Sequence, residues 1–303
     1  MSIAIANAPC SYGAFEVTIG TDPNVPDGVT LLDFVAKAGY EGIDLGPVGY
    51  LGTGDELSER LAQRGLALAG GYVPMAFSEP DVLAGEMDYI DKMCDVFDAT
   101  PAGPKPPRPT LADAGSPERL ARPGQAAKDR SLSLDDAGWA RFGDGLNRVV
   151  DRFRARGYEP TFHHHTGTYV EAVWEVEKVL ELSDVGFTLD TGHLLVGGGD
   201  PTQCLKDWTG RINHLHVKDV DRAILDEILA ESGPMTEIWG RRAFCQFGQG
   251  DIDLDGFLTA VGEVGYDGWL VVEQDIFPRA DEPADVPAKA QEANLAFLRA
   301  RGL

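Results

Sequence analysis

Residues 185–219 read VGFTLDTGHLLVGGGDPTQCLKDWTGRINHLHVKD. The stretch opens on a short apolar run, Val185–Leu189, continues through a segment of helical length, and closes on a second apolar run, Ile212–Val217. That succession predicts a strand, a crossover helix and a parallel strand. Asp200-Pro201 supports the helix between them, offering a capping carboxylate followed by proline at the first helical position, where the missing N–H costs nothing. The same alternation continues on either side, with apolar runs at Ser2–Ala6, Gly42–Leu45, Leu66–Gly70, Thr110–Asp113, Pro160–His163 and Trp269–Glu273. Near-continuous apolar strands are those buried on both faces. Eight such units in 303 residues predict an α/β fold, a single-domain (β/α)8 TIM barrel over residues 1–303.

Local signals place further boundaries. Ser133 with Asp136, and Thr168 with Glu171, read as helix starts with an acidic residue three positions after a hydroxyl, and Asp253 as the cap of a helix with Leu254, Phe257, Leu258, Val261 and Val264 on one face. Gly39 and Gly265 close helices ahead of strands. Residues 101–109 (PAGPKPPRP) carry five prolines in nine positions, which predicts a rigid surface loop leading into the fourth strand. The polar segment 116–132 is expected to be a loop or lid of low order.

Composition narrows the function classes. With 26 basic and 49 acidic side chains the formal charge is −23, which repels a phosphate backbone, so no nucleic-acid partner is expected. Nothing approaches 18 consecutive apolar residues, the N-terminus lacks a basic leader pattern, and the four cysteines are scattered without a C-x-x-C pair; a cytoplasmic protein without a membrane partner is expected. Neither a G-x-S-x-G elbow nor a Walker loop is present.

All six histidines fall between His163 and His216. In parallel α/β barrels the site lies at the carboxyl ends of the strands, and four runs end in metal-ligand types: His163, Asp190, His216 and Glu273. Two imidazoles and two carboxylates from four strands suit a divalent cation such as Mn²⁺, Co²⁺, Fe²⁺ or Zn²⁺. Period-two geometry sets His214 and His216 on one side of their strand, and likewise His163 and His165, sending His164 outward. His193 reaches over the site from the loop after Asp190, and Lys218 shares the facing of His216 as a base or an oxyanion partner. Cys10 and Asp44, at the ends of the first two runs, and His214 are candidates for lining a substrate pocket.

The strings TFHHHTGTYVE (161–171), GFTLDTGHLLVGGGDP (186–201), INHLHVKDV (212–220), FGQGDIDLDGF (247–257) and GYDGWLVVEQD (265–275), with NAPCSYGAFEV (7–17), GYEGIDLGPVGYLG (39–52) and LALAGGYVPMAF (66–77), resemble the sugar phosphate isomerase/epimerase superfamily of xylose-isomerase-like TIM barrels, most closely its inosose dehydratase branch. The resemblance implies a divalent metal, Mn²⁺ or Co²⁺ ahead of Mg²⁺, Fe²⁺ or Zn²⁺, held by Glu, Asp, His and Glu on strands five to eight. Carried over, these are Asp190, His216 and Glu273, with His163 replacing the first Glu and His165 as the alternative. It also implies substrate contacts by His193 and Arg222. The activity so implied is a divalent-metal-dependent carbon–oxygen lyase dehydrating a keto-inositol such as 2-keto-myo-inositol through a metal-stabilised enediolate, with Glu273, His165 or Lys218 as base and His193 as acid. The alternatives are a keto-sugar isomerase or epimerase, a 3-keto-glycoside lyase, and more remotely an apurinic-endonuclease-like or a non-catalytic sugar-binding barrel. The expected partner is a small cyclic polyol or keto-sugar, and a homo-oligomer is compatible with the sequence.

Overall fold

The computed structural model describes residues 3–283 and 285–303; Ser2, at the head of the first expected run, lies outside the described residues. Among the described residues there are ten strands: β1 (Ala4–Asn7), β2 (Gly42–Asp44), β3 (Ala67–Met75), β4 (Arg108–Asp113), β5 (Thr161–His163), β6 (Gly186–Asp190), β7 (Ile212–Val217), β8 (Asp219–Val220), β9 (Phe244–Cys245) and β10 (Trp269–Val272). Eight close into a parallel barrel in the order β1-β10-β7-β6-β5-β4-β3-β2, and β8 pairs β9 in a separate antiparallel ribbon. Every expected apolar run contributes one barrel strand. β3 runs on to Met75 because it stays in register with β4 from Gly70↔Arg108 to Met75↔Asp113. The ribbon was not foreseen, since strands of two residues are too short to carry a period.

The barrel has two hydrophobic layers. Between strands and helices lies the large core, including Leu31, Val35, Ile43, Phe142, Phe162 and Phe187, all fully buried. Inside the barrel, Trp269 fills the floor against Ala4, Ala6, Ala67 and Ala69. The small residues exist because of that indole: a Cβ at Gly42 would lie 2.7 Å from Trp269 Cη2 and 2.8 Å from the Ala67 carbonyl oxygen. The proline-rich segment passes beneath this floor, where a Cβ on Gly103 would come within 2.4 Å of Ala67 Cβ. With the floor plugged by apolar atoms, the polar residues of the strands collect at the carboxyl end.

Asp200 and Asp253 cap their helices as expected, accepting backbone N–H groups of Thr202 and Gln203, and of Gly256. Two expected starts are displaced. The helix Asp136–Ala155 is capped by Asp135, a stronger acceptor two residues beyond Ser133. Thr168 donates its hydroxyl to the His165 carbonyl at 2.8 Å and so folds a turn, and the helix begins only at Val173, with Glu175 accepting the N–H of Ala172. Where low order was expected over 116–132, the chain forms a helix (Pro117–Ala121) and a 3-10 turn (Arg130–Leu132). Arg119 holds them in place. It is 1% exposed and donates two hydrogen bonds to Glu175, at 2.9 and 2.8 Å. Among the described residues, no helix is long and apolar enough to cross a membrane.

Candidate metal centre and active-site cavity

His163 closes β5, Asp190 closes β6, His216 lies one residue before the end of β7, and Glu273 follows β10. These strands are neighbours in the barrel, and the registers Asp190↔His216 and Val271↔His216 bring their ends level. All four residues are buried, and one donor atom from each lies within 4.8 Å of the other three. His163, His216 and Glu273 line a cavity of about 230 Å³ whose walls also include Cys10, Asp44, Tyr72, His165 and Trp239.

Asp190 serves two purposes. Its Oδ1 accepts the N–H groups of Gly192 and His193, each at 2.9 Å, capping the helix Thr191–Val196, and this leaves Oδ2 facing the cluster. His164, which sequence could not place, stacks on Phe187 and accepts the Asp190 N–H through Nε2 at 3.2 Å, fixing that strand end from the outside.

The donor set fits a divalent cation on its own chemistry. His163 Nδ1 contacts the His164 carbonyl, which can only accept, so Nδ1 carries the hydrogen and Nε2 presents a lone pair. Burial, reinforced by repulsion from His216 and His165, holds the His163 pKa well below the usual range and keeps the ring neutral. Its Nε2 nevertheless faces Asp190 Oδ2 at 3.6 Å. Two acceptors opposed in a dry site repel unless a cation lies between them. His216 shows the same demand. Its Nδ1 is 3.0 Å from Glu273 Oε2 and its Nε2 3.5 Å from Asp44 Oδ2, but neither approach has hydrogen-bond geometry and both nitrogens are buried without a partner. Burial opposes the imidazolium; the Glu273 and Asp44 carboxylates outweigh it and push His216 up to about 10. A neutral imidazole, a second imidazole and two carboxylates form the mixed nitrogen and oxygen set that first-row divalent metals accept.

Lys218 Nζ lies 2.6 Å from Asp190 Oδ2, in contact with Glu273 Oε2, and 3.7 Å from Asp275 Oδ1. Burial disfavours its charge, but Asp190, Asp275 and Glu273 together hold its pKa well above the ordinary lysine range. Three carboxylates around Nζ favour the ammonium, which suits the oxyanion-partner role of Lys218 better than that of a base.

Above the donors lie two further imidazoles, His165 and His193, with ring centroids 4.0 Å apart. Burial lowers the pKa of His165 to about 4 and that of His193 well below the usual value, so both are neutral. A single residue sets their tautomers. The Thr166 carbonyl takes the Nδ1 hydrogen of His165 at 2.8 Å, leaving Nε2 of that ring as an acceptor. The Thr166 N–H points at His193 Nδ1 at 3.4 Å, with Thr166 Oγ1 at 2.9 Å, so the hydrogen of His193 is on Nε2. One residue thus gives two adjacent rings opposite roles, acceptor and donor.

The other expected residues are distributed as follows. Asp44 and Cys10 line the cavity, with Cys10 Sγ 3.7 Å from Glu273 Oε1. His214 is fully buried beneath His216, with neither ring nitrogen partnered, and does not reach the cavity. Arg222 is removed from the site altogether: it is exposed at the first position of the helix Arg222–Ala230, because Asp221 caps that helix and turns the chain away from the mouth. Asp275, Thr166, Tyr72 and Trp239 were not anticipated. Asp275 had a signal, two residues past Glu273 and hence on the same face; Trp239 had none, since it comes from the insertion between β8 and β9.

Residues 32–301 match the family profile described as xylose isomerase-like TIM barrel. An inosose dehydratase of Lacticaseibacillus casei is 34% identical over 167 residues, covering 54% of this chain and 56% of that protein. The chain therefore aligns with about half the length of the curated relatives it matches. A probable 3-DHS dehydratase from Bacillus anthracis superposes with a TM-score of 0.68 at 12% identity over 99% of both chains. IolI, solved with a bound zinc atom, superposes with a TM-score of 0.69 at 14% identity over 99% of both chains.

Proposed function

The chain belongs to the xylose isomerase-like TIM barrel family, and on that premise we propose that it is a divalent-metal-dependent lyase that dehydrates a keto-inositol such as 2-keto-myo-inositol. The observation that carries the reading is the juxtaposition of a four-donor cluster with two neutral imidazoles of opposite tautomer. A dehydration needs a base and an acid that do not exchange roles, and Thr166 keeps His165 and His193 distinct. The partial match to inosose dehydratases supports the choice of reaction and substrate, and the zinc bound by the IolI neighbour supports a metal.

A cation held by His163, Asp190, His216 and Glu273 would supply Lewis-acid polarisation of the substrate's carbonyl and neighbouring hydroxyl oxygens. The protein's own groups do the rest. Glu273 and His165 Nε2 present acceptors to the cavity, and one of the two takes the proton from the carbon beside the ketone. The Lys218 ammonium offsets the negative charge that builds on the enediolate oxygen. His193 polarises the β-hydroxyl through its Nε2–H, the C–O bond breaks, and the departing oxygen takes up the proton removed from carbon and leaves as water while the C=C bond forms.

Charge selects among neutral and anionic substrates. Among the described residues lining the cavity, Lys218 is the one lysine or arginine, and three carboxylates already engage it. Apart from the metal itself, a phosphorylated sugar or a hydroxy-acid would meet Asp44, Glu273 and Asp275 with no lysine or arginine left to pair its charge, which favours an uncharged polyol.

The test is to load the protein with Mn²⁺ or Co²⁺, add 2-keto-myo-inositol, and follow the ultraviolet absorbance of the dione product, with ketohexoses in D₂O as the contrast. A metal-dependent chromophore is expected. Solvent deuterium at carbon without a chromophore assigns an epimerase instead, and full activity in excess chelator refutes the metal scheme.

A further inference from the structure

The C-terminal helix Val286–Arg299 turns two amide side chains, Gln291 and Asn294, into the protein, and both are fully buried. Gln291 is the node of a polar network behind the cavity. Its Oε1 accepts from Asn7 Nδ2 at 3.0 Å and from Asn294 Nδ2 at 3.2 Å. Its Nε2 donates to Gln274 Oε1 at 3.1 Å, and its backbone carbonyl accepts the Tyr40 hydroxyl at 2.8 Å. Asn7 uses its second hydrogen on the Val272 carbonyl at 3.1 Å, while the Gln274 N–H donates to Ser11 Oγ at 2.9 Å.

These bonds grip the chain on both sides of Glu273. β10 ends at Val272, and the backbone tie of Glu273 to the barrel is its N–H on the Val217 carbonyl at 3.0 Å, beside the side-chain contacts with Lys218 and Cys10. A carboxylate just past the end of a strand is free to swing unless its flanks are fixed. Here Val272 is fixed through Asn7, and Gln274 directly, by one side chain sixteen or more positions further along. Four buried amide groups, Asn7, Gln274, Gln291 and Asn294, occupy a place that leucine would fill at lower desolvation cost. A connected polar network in a low-dielectric interior instead enforces one arrangement.

We infer that Gln291 is a positioning residue for Glu273: the C-terminal helix sets the direction in which the Glu273 carboxylate meets the other donors. The inference rests on the metal-site reading above. The network contains its own control, because Asn294 branches away from Glu273 and accepts the Phe247 N–H through Oδ1 at 2.9 Å.

The experiment compares the wild-type chain with Gln291→Met, Gln274→Met and Asn294→Leu, measuring Co²⁺ dissociation constants, the visible absorption of bound Co²⁺, and melting temperature. Gln291→Met and Gln274→Met are expected to weaken Co²⁺ roughly 10–100-fold, the effect of losing outer support around a metal ligand, and to change the Co²⁺ spectrum. Asn294→Leu is expected to lower the melting temperature while leaving affinity and spectrum as in the wild type. Should Gln291→Met fail to fold, Gln274→Met, at the protein's edge of the network, decides alone. Folded variants that bind Co²⁺ like the wild type overturn the inference, as does an equal loss in all three, which would mark general loosening. A wild-type protein that binds no Co²⁺ overturns the metal reading and this inference together.

Discussion

Replacing Arg119 with Met tests the support beneath the His165 and His193 pair. Arg119 is 1% exposed and neutralises Glu175 by two hydrogen bonds of 2.9 and 2.8 Å, with Glu171 at 3.9 Å; both glutamates are fully buried. Glu175 Oε2 in turn accepts the N–H groups of Glu171 and Ala172, and Glu171 Oε2 accepts the N–H of Gly167, the residue after Thr166. Without the guanidinium, two carboxylates remain in a dry site. Removing one partner of a buried ion pair costs about 3–5 kcal/mol. A chain of 303 residues has an unfolding entropy near 0.6 kcal/mol/K by the usual per-residue value, so the melting temperature should fall by roughly 5–8 °C. Arg119→Met with Glu175→Gln removes one stranded charge while keeping an oxygen for the two amides, and should recover about 2 kcal/mol relative to the sum of the single changes. Calorimetry on the four proteins measures this, and proteolysis between residues 116 and 132 should accelerate in the single variant as the short helix is released. A loss below about 1 kcal/mol, or strict additivity, would refute the claim that this pair organises the loop carrying Thr166.

Two further outcomes are expected. Glu273→Gln keeps the side-chain shape but removes both a metal donor and an acceptor for the substrate proton, so kcat should fall by at least about 10²-fold, at the lower bound for loss of a general base; near-normal turnover would remove Glu273 from the chemistry. Asp113, 3% exposed at the end of β4, is pushed up to about 6 by burial, against the opposing N–H bonds of Tyr169 and Gly115. A raised carboxyl pKa means that the folded state binds more protons than the unfolded one, so stability falls as pH rises from about 4 to about 6. Asp113→Asn can keep both amide bonds and removes that slope. It should be more stable than the wild type at pH 7.5 by up to about 3 kcal/mol and no better at pH 4; parallel curves of melting temperature against pH would disprove the assignment.

Much of the fold was readable because barrel strands buried on both faces are apolar runs, and because a polar residue closing such a run interrupts a pattern. His163, Asp190, His216 and Glu273 stood out for that reason, each within its own strand. Asp200 and Asp253 were readable because capping is a contact between residues two or three apart. Signals failed for two reasons. Thr168 had a competing local acceptor, the His165 carbonyl, and made a turn instead of a cap, while segment 116–132 looked loose because the partner of Arg119 is Glu175, 56 residues away. Arg222 failed in the opposite sense: a fixed spacing from His216 carried it into the site, while the cap at Asp221 turned it out to solvent.

Periodicity, charge and strand-end chemistry were enough to set the fold class, to disfavour nucleic acid and to nominate the four donors, since each is a local property of the chain. The meeting of those donors within 4.8 Å, the Thr166 contacts of His165 and His193, the three carboxylates around Lys218 and the amide network of Gln291 exist only in three dimensions. All four depend on which backbone carbonyl, carboxylate or amide lies beside a buried group, and closing the barrel is what brings those partners together.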